Sequence, residues 1–382
     1  MKMMTAYTTE VDEVEDALQE ILGQIDLGSL QKNTVGLITC HFDFPETHFI
    51  EALCKKLPFP VIGMTTMSSG NTHGHSMYAL SLSILTSDEV SFQVAFSDAL
   101  GEDNYREKMK AAYDKAASQL PGPPSMVIGL FPYLHNISGA QMVKNFDEIS
   151  GSVPLWGSLA TDPEVGYDHC YVFCGEKVCK ESLAMILFHG PVNPEFIIVS
   201  VPAHSIRKSR GRITDSHECI VKKINGLPAM QYFESIGAEL KGVSNITPLV
   251  VYYEGSSVPV ALAIYSSGDD GSLLCGGETP VGASISIGEI TPEGILASAD
   301  EGITRILESG KTNGALFLPC VTRYVMLTPD HNSELVLAEE RMGKSQIPYM
   351  VGYSGGEICP VRDESGNLRN CFHNYTFSAC AF

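Results

Sequence analysis

Repeated α/β modules, about three related copies with a β-rich insertion, arranged as two associated domains: this is the fold class the sequence predicts. Helix-period and strand-period segments alternate along most of the chain, and one order of elements runs from Val90 and recurs from Gly282. The chain is also large enough. Its 382 residues, 44% hydrophobic and only 18% charged, fit a folded protein of two or three units with room for a sizeable core.

The opening copy reads as an acidic helix near Val11 to Leu22, a strand TVGLITC, a helix near Glu46 to Leu57, then FPVIG and MYALSLSIL. The second is clearer. An alternating strand VSFQVAF precedes a helix from Asn104 to Leu120, where Tyr105, Met109, Ala112, Tyr113, Ala116 and Ala117 recur at helical spacing. After the breaker PGPP come a buried-type strand MVIGLF, a helix near Gly139 to Ile149, VPLWG, and a hairpin of HCYVFC and SLAMILF.

In the third copy the order is ASISIGE, a helix near Glu293 to Glu308, GALFLP, a helix near Glu334 to Met342, IPYMVG, and a hairpin ending FHNYTFSACAF. Residues 191–281 break the pattern. Strands at FIIVSV, LVVYY, VALAIY and SLLCG surround one short helix, Pro228 to Ile236, which reads as a β-rich stretch joining the second copy to the third. The expected domains are therefore 1–190, holding two modules, and 191–382, holding the β-rich stretch 191–281 and the module 282–382.

With 25 basic and 45 acidic residues the formal charge is −20, which repels nucleic-acid phosphates and anionic membranes. Neither class of partner is expected. No run reaches the roughly 18 apolar residues of a membrane span, and the N-terminus turns acidic before any leader-like stretch, so a cytoplasmic location is expected. The 11 cysteines are scattered, which fits reduced thiols.

Loops beyond the carboxyl ends of strands are where open α/β sheets bind ligands. In the last module they carry Cys320, Thr322 and Arg323 after GALFLP, and Ser354, Gly355, Gly356 and Glu357 after YMVG, while the closing segment adds His373, Asn374 and Thr376. Arg323 is suited to a carboxylate and Glu357 to an ammonium group, so a small amphoteric molecule is the expected ligand. The plainer alternative is an ordinary Arg323–Glu357 ion pair at a domain surface. Alternation in FHNYTF would put His373 and Tyr375 on one strand face, Asn374 and Thr376 on the other.

The segments VGYSGGEICP, FHNYTF, LPCVTR and INGLPAMQYF resemble the FIST sensory domain family, in both its N-terminal and C-terminal parts. Residues that recur in that family are matched by Gly157, Thr161, Asp162, Asn225, Gly226, Pro228, Ala229, Pro280, Gly282, Cys320, Arg323, Gly352, Gly356, Glu357, Pro360, Asn374 and Thr376. The resemblance implies a sensor of small ligands, amino acids among them, that signals to a kinase, a cyclic-dinucleotide enzyme or a chemotaxis component. No output domain is recognisable in this chain, so that partner is expected to be a separate protein. One departure stands out: after Gly63 the chain reads MTTMSSGNTHG, where the family carries Ser-Thr-x-Gly-Glu. The expected ligand-binding residues are accordingly Cys320, Arg323, Gly356, Glu357, His373 and Asn374.

Rival chemistries remain. Haem is implied by some relatives that respond to nitric oxide, but the chain has no C-x-x-C-H and only an isolated Cys359–Pro360 pair, so no cofactor is expected. Cys320 with Arg323 and His373 would make a cysteine-dependent hydrolase or transferase the competing class, against the expectation that the protein is not an enzyme. Cys170, Cys174 and Cys179 beside His169 read as packing rather than zinc ligands. His73 and His75 read as a solvated turn, and Arg207, Lys208, Arg210 and Arg212 as a basic connection.

Overall fold

The computed structural model describes residues 1–382 except 165–166, 239, 241–246, 254–258 and 363–365. The first module runs β1 (Lys2–Thr8), α1 (Val14–Gly23), β2 (Asn33–Cys40), α2 (Asp43–Glu46), α3 (Phe49–Lys56), β3 (Val61–Thr65), β4 (Ser69–Asn71), β5 (Gly74–Ser76) and β6 (Leu80–Ser87). The second repeats the plan with β7 (Ser91–Phe96), α4 (Tyr105–Ala117), β8 (Met126–Phe131), α5 (Gly139–Ser150), β9 (Leu155–Leu159), β10 (Val172–Cys174), β11 (Lys177–Cys179) and β12 (Ala184–His189).

The third module starts at β13 (Glu195–Val199) and is then interrupted. The insertion holds β14 (Gly211–His217), β15 (Ile220–Ile224), β16 (Leu227–Pro228), α6 (Ala229–Ser235), β17 (Leu249–Tyr252), β18 (Val260–Leu262), β19 (Ile264–Ser267), β20 (Leu273–Cys275) and β21 (Ser284–Ile287). The module resumes as α7 (Pro292–Glu308), β22 (Ala315–Phe317), α8 (Val321–Met326), α9 (Ser333–Ser345), β23 (Tyr349–Gly352), β24 (Glu357–Arg362), β25 (Leu368–His373) and β26 (Phe377–Ala381).

Local chemistry sets these boundaries. Ser138 caps α5 by accepting from Gln141 N–H while the Gln141 side chain returns to the Ser138 N–H, and Gly151 ends the helix at φ +70°. Thr291 caps α7 in the same sense, accepting from Gly294 N–H, with Pro292 in the first turn, where its missing N–H costs nothing.

Strand pairing reveals how the three copies interlock. Their sheets run β1-β6-β2-β3-β10-β11, β7-β12-β8-β9-β24-β25 and β13-β26-β22-β23-β4-β5. Position by position the order is the same, and in each sheet the last two strands are a hairpin donated by another module. The central pairs β2/β3, β8/β9 and β22/β23 are parallel. Just past them, Met67 N–H donates to Tyr353 O (3.0 Å), Thr161 N–H to Thr65 O (3.1 Å) and Gly355 N–H to Leu159 O (2.9 Å). Three equivalent bonds thus close a ring about a pseudo-threefold axis.

The sheets face one another across a shared core that includes Leu37, Ile62, Ile128, Trp156, Leu316 and Met350. Trp156 is fully buried, and its indole N–H reaches Ser378 Oγ at 3.1 Å, tying the second module to the third. Helices cover the outer faces, through Ile21 and Phe49, Phe146, and Ile303 and Met342 respectively. The insertion carries a separate core around Phe233, Leu249 and Ile285. Among the described residues no helix is long and apolar enough to cross a membrane.

Three readings of the sequence need correction. HCYVFC and SLAMILF do not form a hairpin with each other: β10 pairs with β3 and β11 in the sheet of the first module, and β12 with β7 and β8 in that of the second. ASISIGE is not the first strand of the third module: β21 lies in the insertion sheet between β17 and β14, and FIIVSV supplies the first strand as β13. Both segments alternate, and alternation does not say which sheet a strand joins. FHNYTF is not one strand either. The chain crosses there from the sheet of the second module to that of the third, with Tyr375 at φ +62°, so the expected face assignment of residues 373–376 does not apply.

The close approach of β8 and β9 gives a sharp test. A Cβ on Gly157 would lie 1.8 Å from the Gly129 carbonyl oxygen, a clash only backbone movement can relieve. Gly157→Ala should lose on the order of 3 kcal/mol or more in urea unfolding. Gly343→Ala, in α9 with nothing within 4 Å of the added Cβ, should instead gain about 0.5–1 kcal/mol.

Candidate functional site

All three parallel strand pairs end at the ring of hydrogen bonds, so loops from three modules meet at one end of the axis. The insertion leaves and re-enters the third module at this end and rests on the neighbouring loops. Asn374 N–H donates to Ala261 O (3.2 Å), Ala263 N–H donates to Asn374 Oδ1 (3.1 Å), Lys144 pairs with Glu278 (3.2 Å), and Arg369 stacks over Tyr253 at 5.6 Å.

Glu357 lies at the start of β24 with no solvent exposure. Its Oε2 accepts from Thr376 N–H (3.1 Å) and Thr376 O–H (2.7 Å), which pins the crossing between sheets. Its Oε1 has no hydrogen-bond partner of normal geometry among the described residues. Burial pushes the carboxyl up to about 8, against the lowering pull of Thr376, the nearby Cys320 thiol and the Arg323 charge. Cys320, also buried, stands at the N-terminal boundary of α8 without a side-chain capping bond, and its pKa is pushed up, chiefly by burial and then by Glu357.

Arg323 is not available to a ligand carboxylate. It is 1% exposed, and its Nε and Nη2 hold Glu334 (2.6 Å at the closest), Nη2 donates to Ile295 O (2.9 Å), and Nη1 donates to Ser298 Oγ (2.9 Å) and Tyr375 O (3.2 Å). All five donors of the guanidinium are engaged. The alternative surface pair with Glu357 does not form either, because the carboxylate partner is Glu334, which also accepts from Tyr353 O–H at 2.7 Å. Sequence spacing could not show that α9 delivers this carboxylate.

The other expected residues divide. Gly356 sits beside Glu357 at φ +143°, with its carbonyl accepting from Ser158 Oγ (2.6 Å) and Leu159 N–H (3.1 Å). His373 pairs with Glu357 across β24 and β25, but its Nε2 faces Cys359 O at 3.2 Å, and burial drops its pKa to about 4. It is neutral at physiological pH. Asn374 is spent on the insertion, with Nδ2 donating to the His373 carbonyl at 3.0 Å.

The structure adds residues the sequence reading did not single out. Tyr133, after β8, and Tyr167 lie ring to ring at 4.9 Å. Tyr167 lies within electrostatic reach of Cys320, Cys170 and Asp162, and Tyr265 of the insertion lies within reach of Cys320, Tyr133 and Tyr167. Tyr265 is 49% exposed. Tyr167 (φ +54°) and Tyr375 (φ +62°) both hold the left-handed conformation that costs a side-chain-bearing residue about 1 kcal/mol or more. Thr161 and Asp162 come from the second module. Thr161 Oγ1 is buried without a hydrogen-bond partner among the described residues, while Asp162 accepts from Glu164 N–H (2.7 Å) and His169 N–H (2.6 Å).

The remaining motifs are absorbed by packing. Cys170 approaches Asp162 at 3.5 Å, His169 pairs with Glu46 at 2.6 Å, and no group of three or more His, Cys, Asp or Glu among the described residues is arranged to hold a metal. His73 Nε2 meets Thr5 O, and His75 pairs with Glu339 of α9 at 3.1 Å, so neither belongs to a free loop. In the basic connection Arg210 stacks on Tyr252 at 3.9 Å and Arg207 faces the carbonyls of Ile236 and Gly237.

Comparison with known proteins gives a consistent placement. The family model of the FIST N domain matches residues 34–227, and that of the FIST C domain matches residues 231–360. No curated protein matches the chain. One solved structure, titled "Cyanuric acid hydrolase: evolutionary innovation by structural concatenation", is similar over 76% of this chain and 99% of that one. Identity there is 9% and the TM-score 0.27, a likeness that carries no functional argument.

Proposed function

This chain belongs to the FIST family of sensory domains, with the N and C domains in one polypeptide, and from that premise we propose that it is a cytoplasmic small-ligand sensor. Its ligand is an amino acid or a similar small metabolite, and its signal passes to a separate protein such as a kinase, a cyclic-dinucleotide enzyme or a chemotaxis component. One observation supports this reading above the others: Glu357 is fully buried where three modules converge, yet its Oε1 has no hydrogen-bond partner of normal geometry among the described residues, although the Cys320 thiol lies close to the carboxyl. An unpartnered buried oxygen costs about 1–3 kcal/mol, which a ligand donor would recover.

The cysteine-enzyme reading has weaker support. Burial and Glu357 both raise the Cys320 pKa, which disfavours the thiolate, and the imidazole of His373 faces a backbone carbonyl rather than the thiol. For haem the sequence offered only the Cys359–Pro360 pair, and Cys359 is closed into the shared core.

A thermal-shift screen of free amino acids and related metabolites against the whole chain tests the proposal. Cys320→Ser is expected to keep the full ligand-induced shift, whereas a covalent mechanism would lose it. Loss of the shift in that variant, or a Soret band after incubation with haem, would count against the sensor reading.

A further inference from the structure

We propose that the ligand is recognised as an organic cation: its ammonium group donates to the free Oε1 of Glu357, and its carbon substituents lie against Tyr133, Tyr167 and Tyr265. This deepens the sensor reading and rests on it. Four observations converge. The first is the buried Oε1 of Glu357, an acceptor with no donor of normal geometry among the described residues and only the weak thiol of Cys320 named beside it. The second is that Arg323, the cation placed nearest this carboxyl, is fully committed to Glu334, Ser298 and backbone carbonyls, so a ligand carboxylate finds no partner there. The third is a second buried acidic side chain, Asp162, which accepts from the Glu164 and His169 N–H groups and the Cys170 thiol and lies within electrostatic reach of Tyr167.

The fourth is the tyrosine cluster itself. Aromatic faces attract cations within about 6 Å of the ring centre, and the attraction grows when the site is dry. The Tyr133–Tyr167 pair is supplied by the second module, Tyr265 by the insertion, and Glu357 and Cys320 by the third, so a bound cation would bridge all three units. Tyr167 holds a left-handed conformation, at φ +54°. The net charge of −20 also draws cations to the protein from a distance.

The proton count follows. Glu357 faces Cys320, Arg323, His373 across the strand pair, and the O–H and N–H of Thr376; of these only Arg323 is cationic at neutral pH, and it already carries Glu334. The carboxyl is therefore largely protonated at pH 7, and binding of an ammonium ion ionises it, releasing one proton to the buffer. A ligand that offers only an acceptor, by contrast, keeps that proton in place.

The test uses the full chain and three matched sets of probes: small alkyl and aryl amines, the corresponding carboxylates, and the corresponding alcohols, read by thermal shift and calorimetry. At least one amine should stabilise the protein while its carboxylate and alcohol counterparts do not. Its affinity should rise about tenfold per pH unit up to pH 8 and then level off. Tyr167→Phe should keep binding, Tyr167→Ala should weaken it at least tenfold, and Glu357→Gln should remove the pH dependence. Stabilisation by carboxylates or alcohols alone overturns cation recognition and leaves the sensor reading intact. Stabilisation by none of the three sets overturns both. An amine whose affinity is unchanged by Glu357→Gln and by Tyr167→Ala binds elsewhere, and the assignment of this site falls.

Discussion

Arg323→Ala should destabilise the protein by about 3–5 kcal/mol, measured as the free energy of urea unfolding, even though no ligand is present. Removing the guanidinium leaves Glu334, 2% exposed, with the Tyr353 hydroxyl as its one remaining side-chain donor among the described residues, and takes donors away from Ser298 Oγ and the carbonyls of Ile295 and Tyr375. These groups lie on α7, α9 and the crossing at Tyr375, so one side chain ties together the three parts of the module that flank the site. Arg323→Lys should recover little, because an ammonium group cannot reproduce the forked contact with Glu334. The triple change Arg323→Met, Glu334→Leu, Tyr353→Phe should recover most of the loss, since it removes the buried charges and their donor together. A loss below about 1 kcal/mol in Arg323→Ala would show that Glu334 reaches water and that the pair is not structural. The consequence for function is direct: failure of this variant to bind a ligand cannot be read as loss of a ligand contact.

Much of this fold was legible because its elements have strong local signals. PGPP before MVIGLF, and a Ser138–Gln141 box before an amphipathic run, specify their boundaries without tertiary help. The recurrence of element order was legible for the same reason. The exchange of hairpins was not, because β4/β5, β10/β11 and β24/β25 leave their own modules, and the choice of sheet depends on the axis rather than on the strands. The site shows the same divide. Glu357 and Cys320 were placed by the rule that ligands gather beyond strand ends, whereas the fate of Arg323 depended on Glu334, eleven residues on and in another helix. The aromatic side of the proposed site was hidden because Tyr133 and Tyr167 lie far apart in the second module, Tyr265 lies in the insertion, and the three share no spacing.

Raising the pH from 4.5 to 8 should cost the wild-type protein stability that Glu357→Gln does not lose, a difference on the order of 4 kcal/mol if the carboxyl titrates normally when unfolded. The sign follows from proton binding. In this window the folded state keeps the Glu357 proton and the unfolded state has released it, so stability is complete below pH 4.5 and falls as pH rises through 8. His373 acts in the opposite sense. Burial lowers its pKa from 6.5 to about 4, so its contribution is present above 6.5 and fades as pH falls toward 4. Being common to both proteins, it cancels in the difference. Glutamine can still accept from Thr376 but leaves its own N–H groups without partners, which shifts the variant by a constant amount. The measurement is therefore the slope of the stability difference against pH, from chemical unfolding at several pH values, and not its absolute size. Parallel curves between pH 5 and 8 would mean that Glu357 ionises as freely in the folded chain as in the unfolded one, and the proton release and pH-dependent affinity expected of cation binding would be lost. A slope that flattens above pH 8 would identify the same group from the opposite side. It would also make the site a store of strain released when an ammonium ion takes the place of the missing partner, so that ligand stabilisation grows with pH as the free protein weakens.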